Sequence, residues 1–150
     1  MGNIVIRAAS KKDIPLILDL LYDLGRPKPR TDSQVNTFEK LITRYISDSD
    51  KEILVAENQT TVIGMISIMY LSRLNQKFFE MYIPELIVAK RYRSQGIGKK
   101  LIQTCIKLAK DKKCHRIRLE SGNQRKESHI FYKNFGFSQS ALSFSKNFHA

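Results

Sequence analysis

The chain has 150 residues, of which 42% are hydrophobic and 27% are charged, a balance that predicts one globular domain, residues 1–150, and excludes a disordered chain. The formal net charge of +12 favours anionic partners such as nucleic acid, acidic lipid or a phosphate-rich ligand. No apolar run is long enough for a membrane span or a signal peptide, which predicts a cytoplasmic protein. Two cysteines and three histidines form neither a disulfide framework nor a metal-site spacing.

Hydrophobic periodicity predicts the secondary structure along the chain. In chain order, the predicted elements are a strand at 3–8, helices at 10–25 and 34–47, strands at 52–57, 62–71 and 77–89, a helix at 98–111, a strand at 116–121, a helix at 128–135 and a strand at 141–148. Gly136 is expected to end the last helix in a left-handed conformation. The order predicts an α/β fold, a mixed sheet with helices on both faces.

A basic glycine loop, RYRSQGIGKK (91–100), precedes the helix at 98–111. It lacks the pattern G-x-x-x-x-G-K-[ST], and the dinucleotide fingerprint would need a glycine where Leu101 stands. The remaining pattern, R-x-x-G-x-G at Arg93, Gly96 and Gly98, lets backbone N–H groups converge on an anion at the positive end of a helix. The loop therefore favours a pyrophosphate ligand, and the alternative is a turn that needs glycine for its geometry alone.

Two segments resemble signatures of a known family. ELIVAKRYRSQGIGKKLI (85–102) resembles the acetyl-CoA signature of the GNAT superfamily of N-acetyltransferases, and SHIFYKNFGF (128–137) resembles its later helix-and-turn signature. The predicted element order is similar to that fold over nearly the whole chain. The resemblance implies a mostly antiparallel sheet that opens between its fourth and fifth strands. It also implies direct acetyl transfer from acetyl-CoA to an amine, without a covalent acyl-enzyme.

The resemblance further implies which residues contact the cofactor. Main-chain groups of the fourth strand would pair with the pantetheine arm, and an N–H near Leu86 or Ile87 would polarise the thioester carbonyl. Pro84 favours an opened strand independently, because proline removes a ladder donor. The implied cofactor-binding residues are Leu86, Ile87, Val88, Arg93, Ser94, Gln95, Gly96, Ile97, Gly98, Lys99, Asn123, Ser128 and Tyr132.

Two residues are candidates for proton transfer. Glu85 is a carboxylate within YIPELIVA, a run that otherwise predicts a buried strand. It would either take a proton from the attacking ammonium or form a structural ion pair. The resemblance places Tyr132 near the sulfur, where it would protonate the departing thiolate, and the alternative is a packed aromatic ring.

The predicted acceptor is a small primary amine. The net charge disfavours a polycationic acceptor and favours an amine that also carries an anion. Arg26 and Arg30 are a candidate anion clamp, unless their loop is only a solvated segment. Arg125 and Glu85 complete the candidate substrate-binding residues. The tail from Arg125 onwards is similar to aminoalkylphosphonate N-acetyltransferases.

Other functions remain open. One is a protein or peptide N-acetyltransferase, and another is a non-catalytic, regulatory module that binds acetyl-CoA. The basic residues are spread over the whole chain without a cluster of interleaved aromatic residues, which disfavours a nucleic-acid-binding protein. The apolar alternation of 141–148 predicts a homodimer.

Overall fold

A computed structural model describes residues 3–149, and the strands of this range form one sheet. The strands are β1 (Ile4–Ala8), β2 (Lys51–Asn58), β3 (Thr61–Leu71), β4 (Glu80–Ile83), β5 (Leu86–Val88) and β6 (Arg116–Leu119). Their order in the sheet is β1-β2-β3-β4-β6, and β5 pairs with β3. The pairings among β1 to β5 are antiparallel, so the mostly antiparallel sheet is confirmed.

Four α-helices are present within residues 3–149. They are α1 (Ile14–Asp23), α2 (Asp32–Ser47), α3 (Ile97–Asp111) and α4 (Lys126–Asn134). No helix in this range is both long enough and apolar enough to cross a membrane. The cytoplasmic location stays a prediction.

Contacts divide the chain after Arg118 into two compact units. In the first unit, α1 and α2 pack on one face of the sheet, where Ile42 and Met65 belong to the same buried core. Helix α3 packs on the opposite face, since a Cβ on Gly64 of β3 would stand 3.5 Å from Leu101. Helices on both faces are therefore confirmed for this unit. The second unit contains α4, which ends before Gly136 at a φ of +87°, as predicted.

An ion-pair network fixes the start of α1. The terminal nitrogens of Arg7 donate to Asp13 at 2.7 and 2.9 Å, and its Nε donates to Glu57 at 2.5 Å. Asp13 also accepts from the main-chain N–H of Ser10 at 2.8 Å, so the predicted helix-start motif is present. The Arg7 guanidinium lowers the pKa of Asp13 to about 2, which keeps this buried carboxylate ionised.

The strand predicted at 77–89 is shorter and is divided in two. Residues 77–79 lie outside any strand, and Pro84 and Glu85 separate β4 from β5. Because proline has no N–H to donate, the ladder cannot continue unbroken through this position. The break that Pro84 predicted is therefore present.

The sheet opens at this break. Tyr82 of β4 lies opposite Met69 of β3, and Leu86 of β5 lies opposite Ile66. Leu86 comes four residues after Tyr82, whereas Ile66 comes only three residues before Met69. The register therefore shifts by one residue between the two pairings. Strand β6 lies beside β4, and β5 pairs with β3 alone among the strands of the described range. One edge of β5 therefore has no strand against it, as expected for an opening between the fourth and fifth predicted strands.

The strand predicted at 141–148 is wrong. These residues are irregular, and Leu142, Phe144 and Phe148 are 74%, 89% and 80% exposed. Alternating apolar residues favour a strand only where a neighbouring strand accepts its backbone hydrogen bonds, and none in residues 3–149 does so for this segment. The homodimer that was inferred from this alternation stays a prediction.

Candidate active site

The basic glycine loop leads into the N-terminus of α3. Gly96 is the N-cap residue with a φ of +82°, a conformation that glycine adopts without strain, and no side chain in the described range caps the helix. A Cβ on Gly96 would meet nothing within 4 Å, so the space beside this helix end is open. The N–H groups of the first turn have no partner within the helix and can bind an anion there.

The loop side chains differ in their positions. Arg93 donates from Nε to the main-chain oxygen of Val88 at 3.0 Å, which fastens the loop to the end of β5. Ile97 is buried and anchors the helix, so only its main chain can contact a ligand. The exposed members of the predicted cofactor loop are Arg93, Ser94, Gln95, Gly96 and Lys99, and Gly98 is half-buried.

Changing Gly96 to alanine is expected to weaken coenzyme A binding by about tenfold, because the new methyl would occupy the open space and strain the left-handed backbone. Isothermal titration calorimetry would measure the change. The matched control is Gly25→Ala, because Gly25 also has a positive φ, +97°, and an open Cβ position. It should lose similar stability without losing affinity. Equal coenzyme A affinity in the Gly96 variant and the parent would count against an anion site at the N-terminus of α3.

The free edge of β5 offers main-chain groups. The C=O of Glu85 and the N–H of Ala89 bond to β3 at 3.0 and 2.7 Å. Since alternate residues of a strand bond to the same neighbour, Leu86 and Val88 turn their N–H and C=O groups away from β3. Of the two N–H groups predicted to polarise the thioester, that of Leu86 faces the open edge, whereas that of Ile87 faces β3.

Glu85 lies in the break between β4 and β5, and its side chain is 21% exposed, so the expected position within a buried strand is wrong. Its Oε1 accepts from the Ser67 hydroxyl, and its main-chain N–H donates to the Ser67 oxygen at 2.9 Å. Its Oε2 lies 3.1 Å from Nη2 of Arg26. Ser67 therefore orients both the main chain and the carboxylate of Glu85, and the carboxylate remains accessible.

Two residues of this site were not predicted. Ser67 is a buried polar residue in the apolar segment VIGMISIMYL. A single polar residue in an otherwise apolar strand was the signal that could have identified it. Tyr45 is a half-buried residue of α2. Its hydroxyl donates to the Ile68 oxygen at 3.0 Å, and burial together with the negative charge of Glu85 raises its pKa. The Tyr45 hydroxyl thus stays protonated beside Glu85.

The predicted anion clamp is only partly assembled. Arg26 is half-exposed and pairs with Glu85. The main-chain N–H of Arg30 donates to Oε1 of Gln34 at 2.6 Å, and the Arg30 side chain is exposed. The structure therefore brings Arg26, rather than Arg30, to the candidate base.

The remaining predicted residues belong to the second unit. The Tyr132 ring forms edge contacts with Phe131 and Phe137, with ring centroids 5.2 and 5.8 Å apart. Burial raises the pKa of Tyr132, and nearby Arg125 partly offsets this increase. A phenol that stays protonated can act as a proton donor. Asn123 and Arg125 are exposed, and Ser128 is half-buried on α4.

The sequence matches the model of the Acetyltransferase (GNAT) family over residues 17–137. It is 30% identical over 145 residues to the thialysine N-ε-acetyltransferase of Bos taurus, covering 91% of this chain and 85% of that enzyme. A structure described as a transcriptional regulator from Bacillus halodurans C-125 superposes with a TM-score of 0.89 at 27% identity, covering 97% of this chain and 100% of that one. The glucosamine-6-phosphate N-acetyltransferase of Arabidopsis thaliana gives a TM-score of 0.84 at 23% identity, with 99% and 100% coverage. The chain therefore belongs to the GNAT family and is an N-acetyltransferase that uses acetyl-CoA.

Proposed function

We propose that the protein acetylates the primary amine of a small molecule that also carries an anionic group. The observation that carries this proposal is the Arg26–Glu85 ion pair, 3.1 Å long, beside the open edge of β5. The Glu85 carboxylate suits an incoming ammonium, and a guanidinium suits a carboxylate or phosphonate. An acceptor with both charges is complementary to such a pair.

The described residues fit acetyl-CoA, which supplies the activated acetyl thioester. The uncapped first turn of α3 and the open space at Gly96 suit its pyrophosphate. The outward main-chain groups of Leu86 and Val88 suit its pantetheine arm, which would lie along β5 like an added strand. We assign the polarisation of the thioester carbonyl to the N–H of Leu86.

In the proposed reaction, Glu85 takes a proton from the acceptor ammonium, directly or through water. Ser67 holds the carboxylate in position for this transfer. The freed amine attacks the acetyl carbon, the new C–N bond replaces the C–S bond, and the nitrogen releases its second proton to solvent as the neutral amide forms. Tyr132 supplies a proton to the departing thiolate, a role consistent with its raised pKa. Asn123, Ser128 and Arg125 stay predicted contacts of the cofactor or the acceptor.

A thiol-release assay against a panel of amines would test the acceptor class. The panel contains amino acids, aminoalkylphosphonates, polyamines and peptides with a free N-terminus. We expect the highest kcat/KM for small anionic amines and the lowest for polyamines, which the net charge of +12 repels. A higher kcat/KM for peptides or polyamines would disprove the proposed class. Binding of acetyl-CoA without turnover of any amine would favour the regulatory alternative.

A further inference from the structure

An arginine cluster, formed by Arg73, Arg116 and Arg118, surrounds a buried carboxylate that the proposed reaction does not use. Glu80, the first residue of β4, has 0% exposure. Its Oε2 lies 2.8 Å from Nε of Arg73 and 3.5 Å from Nη2 of Arg116, and its Oε1 accepts from Nε of Arg118. Burial alone would raise the pKa of Glu80, but the arginines, Arg118 foremost, lower it below its usual range. The carboxylate is therefore ionised.

The arginine cluster carries more positive charge than Glu80 neutralises. Arg73 and Arg116 are two guanidiniums that share the single carboxylate of Glu80, and like charges held this close repel one another. The side chains of Arg73 and Arg116 are 46% and 48% exposed. Each contacts Glu80 through a single nitrogen, so Glu80 accepts only one of the five N–H donors of each guanidinium. A second anion would relieve the repulsion and accept from the other donors.

The arginine cluster lies on the same face of the sheet as Glu85. Glu80 lies opposite Leu71 of β3, and Tyr82 lies opposite Met69. Residues two apart in a strand share a face, so Ser67, Met69 and Leu71 lie on one face of the sheet, together with Glu80 and Tyr82. Arg118 lies over the Tyr82 ring, 4.5 Å from its centroid. From Ser67, where Glu85 is bound, to Leu71, opposite Glu80, the strand rises roughly 13 Å. Tyr82 lies about halfway, roughly 7 Å from Ser67 along β3.

We propose that the arginine cluster binds the carboxylate or phosphate group of an acceptor whose amine lies at Glu85. The two ends of that acceptor would be separated by roughly 7–13 Å, the rise of β3 between the two sites. The site therefore selects extended amines with a terminal acid, such as long ω-amino acids, over glycine. The inference rests on the proposed function for the position of the amine, and it adds the cluster as a second anion contact, farther from the amine than Arg26.

The first arm tests the anion site without catalysis. Thermal unfolding is followed at constant ionic strength while inorganic phosphate is titrated in the presence of saturating coenzyme A, which would occupy the proposed pyrophosphate site at α3. We expect phosphate to raise the Tm of the parent and to have a much smaller effect on the double variant Arg73→Gln/Arg116→Gln. Glutamine keeps a donor for Glu80. The double variant Lys40→Gln/Arg44→Gln, on the exposed side of α2, also removes two positive charges and is the charge-matched control. The single variant Arg116→Gln serves if the double variant does not fold.

The second arm tests whether the anion belongs to the acceptor. The assay compares ω-amino acids from glycine to aminooctanoate with the corresponding alkylamines. For the parent, kcat/KM should rise with chain length for the acids only. The double variant should lower kcat/KM for the best acid by about tenfold or more and leave the alkylamines unchanged.

Each outcome is decisive. A phosphate effect that is equal in the parent and the double variant overturns the anion site. A phosphate effect confined to the parent, combined with equal losses for acids and alkylamines, overturns the acceptor contact and assigns the cluster to a free anion. If no amine is acetylated, the proposed function fails, and the phosphate titration still decides whether the cluster binds an anion.

Discussion

Replacing Glu85 by glutamine is expected to lower kcat/KM by about a hundredfold at neutral pH, with the largest loss at low pH. The amine arrives as an ammonium, and the amide of the variant cannot take its proton. As the pH rises, more amine is already deprotonated, so the deficit should shrink. The measurement is the pH dependence of thiol release in parent and variant from mildly acidic to alkaline buffer.

The control separates catalysis from folding and cofactor binding. Coenzyme A affinity should stay unchanged, because the proposed pyrophosphate contacts are at the N-terminus of α3 rather than at Glu85. Glu39→Gln, which removes an exposed carboxylate on α2, should leave the pH profile unchanged. If Glu85→Gln lowers Tm but keeps the parent's pH–rate profile, Glu85 forms only the structural ion pair with Arg26.

Replacing Tyr132 by phenylalanine is expected to lower kcat by about thirtyfold while the KM of the amine changes little. The substitution keeps the ring, so the edge contacts with Phe131 and Phe137 remain and Tm should stay close to that of the parent. What is lost is the phenolic proton for the thiolate. Steady-state kinetics with the best amine of the panel would measure the loss.

The pH profile adds a second readout for Tyr132. Because burial raises the pKa of Tyr132, its proton-donating form persists through neutral pH and is lost only in alkaline solution. The parent should therefore lose activity on the alkaline limb, and the phenylalanine variant should lack that titration. Tyr22→Phe, a half-buried tyrosine of α1, is the matched control. A normal kcat for Tyr132→Phe would assign this ring to packing alone.

Local chemistry predicted several features of the site correctly. Pro84 predicted the interrupted ladder because the missing N–H is a property of the residue itself. Gly96 predicted the strand-to-helix loop because a positive φ there favours glycine. Both signals are contained in a few consecutive residues.

Other features depend on residues that are distant in the sequence. The pairing of Arg26 with Glu85 joins positions 59 residues apart, and Glu80 is enclosed by arginines from the β3–β4 loop and β6. No local pattern contains such contacts. The strand prediction for 141–148 was wrong although its local pattern was right. The alternation of apolar residues is typical of a strand, but no partner strand is present in the described range.

The most direct measurement follows acetyl transfer by mass. The protein is incubated with acetyl-CoA, first alone and then with an ω-amino acid, while thiol release and the masses of protein and amine are recorded together. Direct transfer predicts an unmodified protein, negligible thiol release without amine, and one acetyl group on the amine for each thiol released. An acetylated protein that forms without amine and then passes its acetyl group to the amine would contradict direct transfer, and amine-independent thiol release would contradict N-acetylation.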